Sequence, residues 1–225
     1  MTLPPLSLVR QFDTSRLIPS RYSDESVLAR IAENDSHLKD IFELDFATND
    51  RLLAENNLAS GMRSHELVFG VPNSLIVNAA FSHAHPKGSR FNGPDRGAWY
   101  ASFERETAQA EVAHHRWLEL LETRWLEETS TYVEFLADFS SEFHDLRGQG
   151  DFANCLLPAD YIESQRVAAA LLASGSLGVV YPSVRRAGGT CVACFRPALV
   201  VNVRKGATFR FEWAGSPIPT IMELT

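Results

Sequence analysis

Cysteine is scarce in this chain, three in 225 residues, too few and odd in number for a disulfide framework. That usage fits a reducing compartment, and a cytoplasmic location is the expectation. Positive charge is also short: 21 Lys and Arg against 28 Asp and Glu leave a formal net charge of -7. Nucleic acid backbones are gathered by clustered basic residues, so no direct contact with nucleic acid is expected. No run approaches about 18 consecutive apolar residues, which argues against a membrane span. The start, Met1-Thr-Leu-Pro-Pro-Leu-Ser-Leu-Val-Arg10, lacks a basic segment ahead of an apolar core, so export is not expected either. A Gly-x-Gly-x-x-Gly turn after a strand and a Gly-Lys-Ser/Thr loop are both missing, which removes a Rossmann dehydrogenase and a phosphate-loop nucleotidase.

What remains is long enough, and at 45% hydrophobic apolar enough, for one well-packed domain over residues 1–225. Residues 1–22 read as extended, with prolines at 4, 5 and 19. From Ser23 the apolar residues recur at three- and four-residue intervals, which predicts two helices over 24–57 and makes 24–60 a helical insertion. Ser74 to Phe81 reads as a short apolar strand after the Gly70-Val-Pro-Asn73 turn. Ala98 to Ser102 is a predicted strand, followed by a long helix from Phe103 to about Glu128. Thr131 to Phe139 reads as a strand, and Asp160 to Ser174 as a helix stopped by Gly175. The tail is predicted to be all strand: Leu177 to Tyr181, Thr190 to Phe195, Ala198 to Val203 and Thr208 to Trp213, separated by Gly188-Gly189, Pro197 and Gly206. The fold class is therefore α+β.

The most informative stretch is Gly88-Ser-Arg-Phe-Asn-Gly-Pro-Asp-Arg-Gly-Ala-Trp-Tyr-Ala-Ser102, followed by Thr107-Ala-Gln-Ala-Glu111 and later by Tyr181-Pro-Ser-Val-Arg185. Arg90 and Asn92 sit in a glycine-bounded turn, Tyr100 lies on the next strand, and Glu111 on the first turns of the helix after it. Together they point to chemistry on NAD. Nicotinamide leaves as a neutral base, so its departure needs little acid catalysis but builds positive charge on the ribose. One carboxylate among small neighbours, here Ala108, Ala110, Val112 and Ala113, suits that task. Arg90 offers the planar fork that fits a pyrophosphate, Tyr100 a ring to stack on nicotinamide, and Ser183 a hydroxyl to orient Glu111 or a ribose oxygen. Each residue has a plainer reading as well. Glu111 fits a solvated helix face, Arg90 an ion pair with Asp95, Tyr100 a core strand position and Ser183 a turn cap.

Arg16-Leu-Ile-Pro-Ser-Arg21, Ala79-Ala-Phe-Ser-His83, Gly88-Ser-Arg-Phe-Asn92, Trp99-Tyr-Ala-Ser102, Thr107-Ala-Gln-Ala-Glu111 and Gly178-Val-Val-Tyr-Pro-Ser183 occur in an order that resembles the RES domain family. The resemblance runs from about Arg16 to about Phe195. It implies an ADP-ribosyltransferase-like fold with a central split β-sheet. It further implies the toxin of a type II toxin-antitoxin pair, consuming NAD as substrate or transferring its ADP-ribose, with no metal. The acceptor it implies is water or phosphate, with a specific cellular protein as the alternative. By matching positions, Glu111, Arg90, Tyr100 and Ser183 are the catalytic set, and Arg16, Arg90, Asn92, Tyr100 and Ser183 bind the dinucleotide. Arg21 is the alternative to Arg16. The implied partner is an Xre-like antitoxin that occludes the active site. A non-catalytic interaction module is disfavoured by the presence of all four catalytic residues.

Other motifs carry less. Cys191-Val-Ala-Cys194 has metal-ligand spacing but no second pair, and it lies in an alternating strand, so core cysteines are expected. His83, His85, His114 and His115 would hold a metal only if brought together with a carboxylate.

Overall fold

The computed structural model describes residues 2–23, 37, 40, 62 and 64–225. The two helices expected over 24–57, and with them the insertion assigned to 24–60, lie outside the described residues. The architecture is a large mixed sheet of seven strands with helices against it, ordered β1-β2-β5-β4-β3-β6-β7 with a further β1–β3 pairing. The strands are β1 (Leu6–Pro19), β2 (Trp99–Ser102), β3 (Glu127–Asp145), β4 (Gly178–Pro182), β5 (Thr190–Cys194), β6 (Val201–Ala214) and β7 (Thr220–Leu224).

Two lobes meet in this sheet. In one, β1 runs antiparallel along β3 from Leu6 opposite His144 to Pro19 opposite Tyr132, and β6 flanks the other side of β3. In the other, β5 lies between β2 and β4, antiparallel to both. The lobes touch at Ser15 opposite Ser102 and where His144 and Asp145 run parallel to Val179 and Val180. The circuit β1-β2-β5-β4-β3 thus closes on β1.

Helix α1 (Ser74–Ser82) occupies the segment expected as a strand, which is a correction. Its buried residues, Val77, Asn78 and Phe81, follow a helical spacing. A short apolar run does not by itself separate a helix from a buried strand. Asn78 decides the packing: its amide takes the Val68 N–H at 3.0 Å and donates to the Val68 carbonyl at 2.8 Å, which pins the preceding loop to the helix. Helix α2 (Arg105–Thr123) forms as expected but stops earlier. Arg124 takes a left-handed conformation at φ 58°, and Trp125 N–H bonds back to the Leu120 carbonyl at 3.2 Å, a helix stop made without the usual glycine. Helix α3 (Ile162–Ala173) ends ahead of Gly175, at φ 82°, as its sequence predicts.

Strand β3 is longer than the predicted Thr131 to Phe139 because both sides of it are paired along much of its length. Strand β6 is one element where two were expected, and residues Pro197–Leu199 form a 3-10 turn before it. Gly206 is not a break. A Cβ there would lie 2.5 Å from the Glu134 carboxylate, so the glycine lets the strand pass close over a buried side chain. Strand β7 was not foreseen.

Both faces of the β2-β5-β4 lobe are covered, which explains its near-continuous apolar sequence. Trp99, Ala101, Val180, Val192 and Cys194 face α1 together with Phe135, Phe139 and Phe143 of β3. Val179, Tyr181, Cys191 and Ala193 face Val167, Ala168 and Leu171 of α3. Helix α2 packs through Ala108, Ala113 and Leu120 on Leu17, Tyr132, Phe209, Phe211 and Trp213 of the other lobe.

Candidate functional site

The start of α2 is held at both sides, and this sets where Glu111 falls. Glu104, which precedes the helix, accepts from Thr107 Oγ1 at 2.6 Å and from the Thr190 backbone N–H at 3.0 Å, tying the first turn to β5. Arg105 forks onto Glu134 with bonds of 3.0 and 2.8 Å from Nε and Nη2, tying it to β3. Glu134 is fully buried; it also accepts from Ser15 Oγ at 2.7 Å and from the Ala207 N–H at 3.3 Å. Sequence reading missed this strut, since a glutamate inside an apolar strand gives no sign of which arginine will meet it.

Glu111, in the second turn of α2, meets Ser183 at the end of β4. The Ser183 hydroxyl donates to Glu111 Oε1 at 2.6 Å and accepts from the backbone N–H groups of Arg185 at 3.1 Å and Arg186 at 3.2 Å. With both acceptor positions filled by amides, the hydroxyl proton is directed at the carboxylate. Of the two partners foreseen for the Ser183 hydroxyl, Glu111 is the one it meets, and the same hydroxyl caps its turn. Cys191 adds its thiol 3.8 Å from the same Oε1, a neighbour not foreseen. The pairing of Ser102 with Cys191 brings it there. Burial, then Glu111, pushes the Cys191 thiol up to about 12, so it stays a neutral, weak donor.

Tyr100 lies on the same face of the lobe as Cys191. Its hydroxyl donates to Asn92 Oδ1 at 2.8 Å and accepts the Phe91 N–H at 2.9 Å. Burial raises this phenol well above its ordinary range. Tyr100 therefore braces the Gly88–Asn92 turn, while its ring remains half-buried against the α3 cluster. Gly88 is required in that turn: it sits at φ 69°, and a Cβ there would lie 2.3 Å from the Asn92 carbonyl. Tyr181 stands beside this turn, its ring 4.7 Å from that of Phe91.

Arg90 does not pair with Asp95. Its Nη1 donates to the carbonyls of Cys155 at 3.0 Å and Leu157 at 2.9 Å, and its guanidinium lies 4.6 Å from the centre of the Tyr161 ring. Arg16 donates from Nη1 to the Tyr100 carbonyl at 2.9 Å and stacks 4.9 Å over Trp99. Burial lowers its pKa to about 10, and its Nε has no hydrogen-bond partner among the described residues. Arg21 instead lies over Tyr22 and lines a cavity of about 470 Å³ between the end of β1, α2 and β3. Glu111 is not among the walls of that cavity, whereas Arg16 reaches the Tyr100 strand through its bond to the Tyr100 carbonyl.

Arg16, Arg90, Arg185 and Arg186 have no carboxylate partner among the described residues; their bonds go to carbonyls and to the Thr107 hydroxyl. In a chain of net charge -7 this is a local excess of positive charge. It also reaches the helix: burial first, then Arg185 and Arg90, holds His114 below the ordinary histidine range. An oriented carboxylate and, elsewhere in the same region, guanidinium groups without a carboxylate partner among the described residues suit a substrate that carries anionic oxygens and develops positive charge as it reacts.

No group of three or more metal-ligating side chains occurs among the described residues. Cys191 and Cys194 are buried on opposite faces of β5, because residues three apart in a strand alternate sides, so they do not form one chelate. No helix among the described residues is long and apolar enough to cross a membrane.

Comparison with known proteins adds three findings. A chain of the crystal structure of the M. tuberculosis MbcT-MbcA toxin-antitoxin complex is similar at 13% identity, covering 89% of this chain and 85% of that one with a TM-score of 0.46. No curated protein matches the sequence. Residues 67–214, more than half of the chain, match the family model described as RES domain, and the chain belongs to the RES domain family.

Proposed function

We propose that this protein cleaves the bond between nicotinamide and ribose in NAD, and that it acts as the toxin of a toxin-antitoxin pair. The observation that carries the chemistry is the 2.6 Å bond from Ser183 to Glu111, made between residues 72 apart in the chain. It fixes one carboxylate in one orientation beside the arginine-rich rim.

In this reading Arg16 and Arg90 anchor the dinucleotide, Asn92 and Tyr100 shape the nicotinamide end, and Ser183 holds Glu111. As the glycosidic bond breaks, its electron pair leaves with nicotinamide and positive charge spreads over the ribose ring. The Glu111 carboxylate stabilises that charge, and because it is already oriented it needs no reorganisation. An acceptor oxygen then bonds to the ribose carbon; where that oxygen belongs to water, its proton passes to solvent. Water or phosphate is the acceptor favoured here. No metal takes part. An ADP-ribosyltransferase-like plan with a central split β-sheet is part of this reading, and the large mixed sheet supports it.

Membership of the RES domain family supports the toxin assignment, a cytoplasmic place of action and an Xre-like antitoxin that covers the pocket. The test is incubation of antitoxin-free protein with NAD and cell lysate, following nicotinamide, free ADP-ribose and ADP-ribose on protein together, with Glu111→Ala as control. Removal of this carboxylate is expected to slow turnover by about 10²-fold or more. Free ADP-ribose or its phosphate identifies an NAD-depleting enzyme, and a labelled band identifies a protein ADP-ribosyltransferase. A folded Glu111→Ala variant with the parental rate refutes the assignment.

A further inference from the structure

Arg185 has no role in the reading above, yet its environment is built like that of Arg90. Its Nη2 donates to the Pro158 carbonyl at 2.5 Å, next along the chain from the carbonyls of Cys155 and Leu157 that hold Arg90. The two guanidinium groups therefore hang from one short stretch, residues 155–158. The Arg185 backbone is fixed as well, since its N–H bonds to Ser183 Oγ at 3.1 Å, the same hydroxyl that orients Glu111. Its Nε is buried without a hydrogen-bond partner among the described residues. Both arginines depress His114, so both charges reach the same helix face. Carbonyls satisfy donors but leave the two positive charges largely uncompensated. Holding like charges together is unfavourable until an anion arrives.

We propose that Arg185 is a second phosphoryl-binding residue of this site, sharing with Arg90 the pyrophosphate of the dinucleotide. The inference rests on the NAD reading. It adds that the enzyme selects a dinucleotide over a substrate that lacks the pyrophosphate. A guanidinium pre-set by a carbonyl loses little freedom on binding, and its planar fork matches two phosphoryl oxygens. Ser183 then links both ends of the reaction, holding Glu111 with its proton and the Arg185 backbone with its oxygen.

The test compares Arg185→Gln and Arg185→Lys with the parent in two assays. In the first, calorimetry measures binding of ADP-ribose, which keeps the pyrophosphate, and of adenosine, which lacks it. Arg185→Gln is expected to weaken ADP-ribose by about tenfold or more, the ordinary size of a lost hydrogen bond to a charged group. Arg185→Lys is expected to fall in between, and adenosine to bind all three equally. In the second, nicotinamide release gives KM and kcat for NAD, with KM expected to rise about tenfold and kcat to change little. ADP-ribose affinity unchanged in Arg185→Gln overturns the inference, as does an equal loss for adenosine, which reports a collapsed pocket. An unchanged KM for NAD with a lost response to added inorganic phosphate also overturns it, because Arg185 then serves an acceptor phosphate. If the parent binds ADP-ribose through Arg185 but releases no nicotinamide, the NAD-cleavage reading falls and this inference stands.

Discussion

Replacement of Ser183 by alanine isolates what one hydroxyl contributes to the candidate site. The side chain makes three bonds: it donates to Glu111 at 2.6 Å and accepts from the N–H groups of Arg185 and Arg186 at 3.1 and 3.2 Å. Alanine removes all three and adds no bulk. A hydrogen bond to a charged group is worth about 1.5–3 kcal/mol, and each 1.4 kcal/mol is a factor of ten, so a misoriented carboxylate costs on the order of 10- to 100-fold in turnover. Among the described residues the other hydrogen-bond contact to the same oxygen is the weak Cys191 thiol at 3.8 Å, which is too long to take over. In the proposed mechanism Glu111 acts where positive charge develops, so the loss is expected in kcat with KM nearly constant. The two freed amides add a smaller loss of stability, about 1 kcal/mol each where water does not replace the hydroxyl. The assay is nicotinamide release under steady state, beside a thermal melt. Ser183→Thr, which keeps a hydroxyl, is expected to recover part of the rate. A folded Ser183→Ala protein with kcat within about twofold of the parent would refute the claim that this hydroxyl orients the reacting carboxylate.

Other expectations concern the scaffold and can be checked without substrate. Glu134→Ala strips the Arg105 fork, Ser15 and the Ala207 amide of their acceptor. The Arg105 side chain is 41% exposed and regains water, so the loss is expected near the low end for a broken buried pair, about 3 kcal/mol, or roughly 6–12 °C in the melting temperature. Asn78→Ala leaves the N–H and carbonyl of Val68 without their partner and is expected to cost about 2 kcal/mol or more, read by chemical denaturation. The thiol of Cys191, buried and pushed up to about 12, is expected to alkylate far more slowly in the native protein than in the unfolded chain at pH 8, measured by mass spectrometry. The same shift has a sign for stability: the thiol favours the folded state fully below pH 9, and that contribution is lost as pH rises from 9 towards 12. Rapid native labelling of Cys191 at pH 8 would contradict its burial.

Local pattern alone located several elements. The extended N-terminal stretch, the strand ending at Ser102, α2, α3 and the paired runs of β4 and β5 all announce themselves by period or by a glycine stop. Their signals depend on neighbours within one or two turns of chain, and the order of motifs from Arg16 to Ser183 carried the family. The turn holding Arg90 and Asn92 was legible too, from the glycines that bound it, and Gly88 takes there a left-handed φ that other residues rarely adopt.

Tertiary structure decided the rest. Whether Ser74 to Phe81 is helix or strand depends on where Asn78 finds its partner, ten residues back at Val68. Gly206 reads as a break until Glu134 is seen beneath it. The length of β3 follows from strands paired on both sides, a fact of topology rather than of its own residues. At the site, sequence named Glu111 and Ser183 but not the direction of the hydroxyl proton, which the amides of Arg185 and Arg186 impose. It offered Asp95 to Arg90, whereas the fold supplies carbonyls 65 and 67 residues away and so leaves the charge uncompensated. Residue type fixes which chemistry is available. Which donor meets which acceptor is set by long-range packing, and no local pattern encodes it.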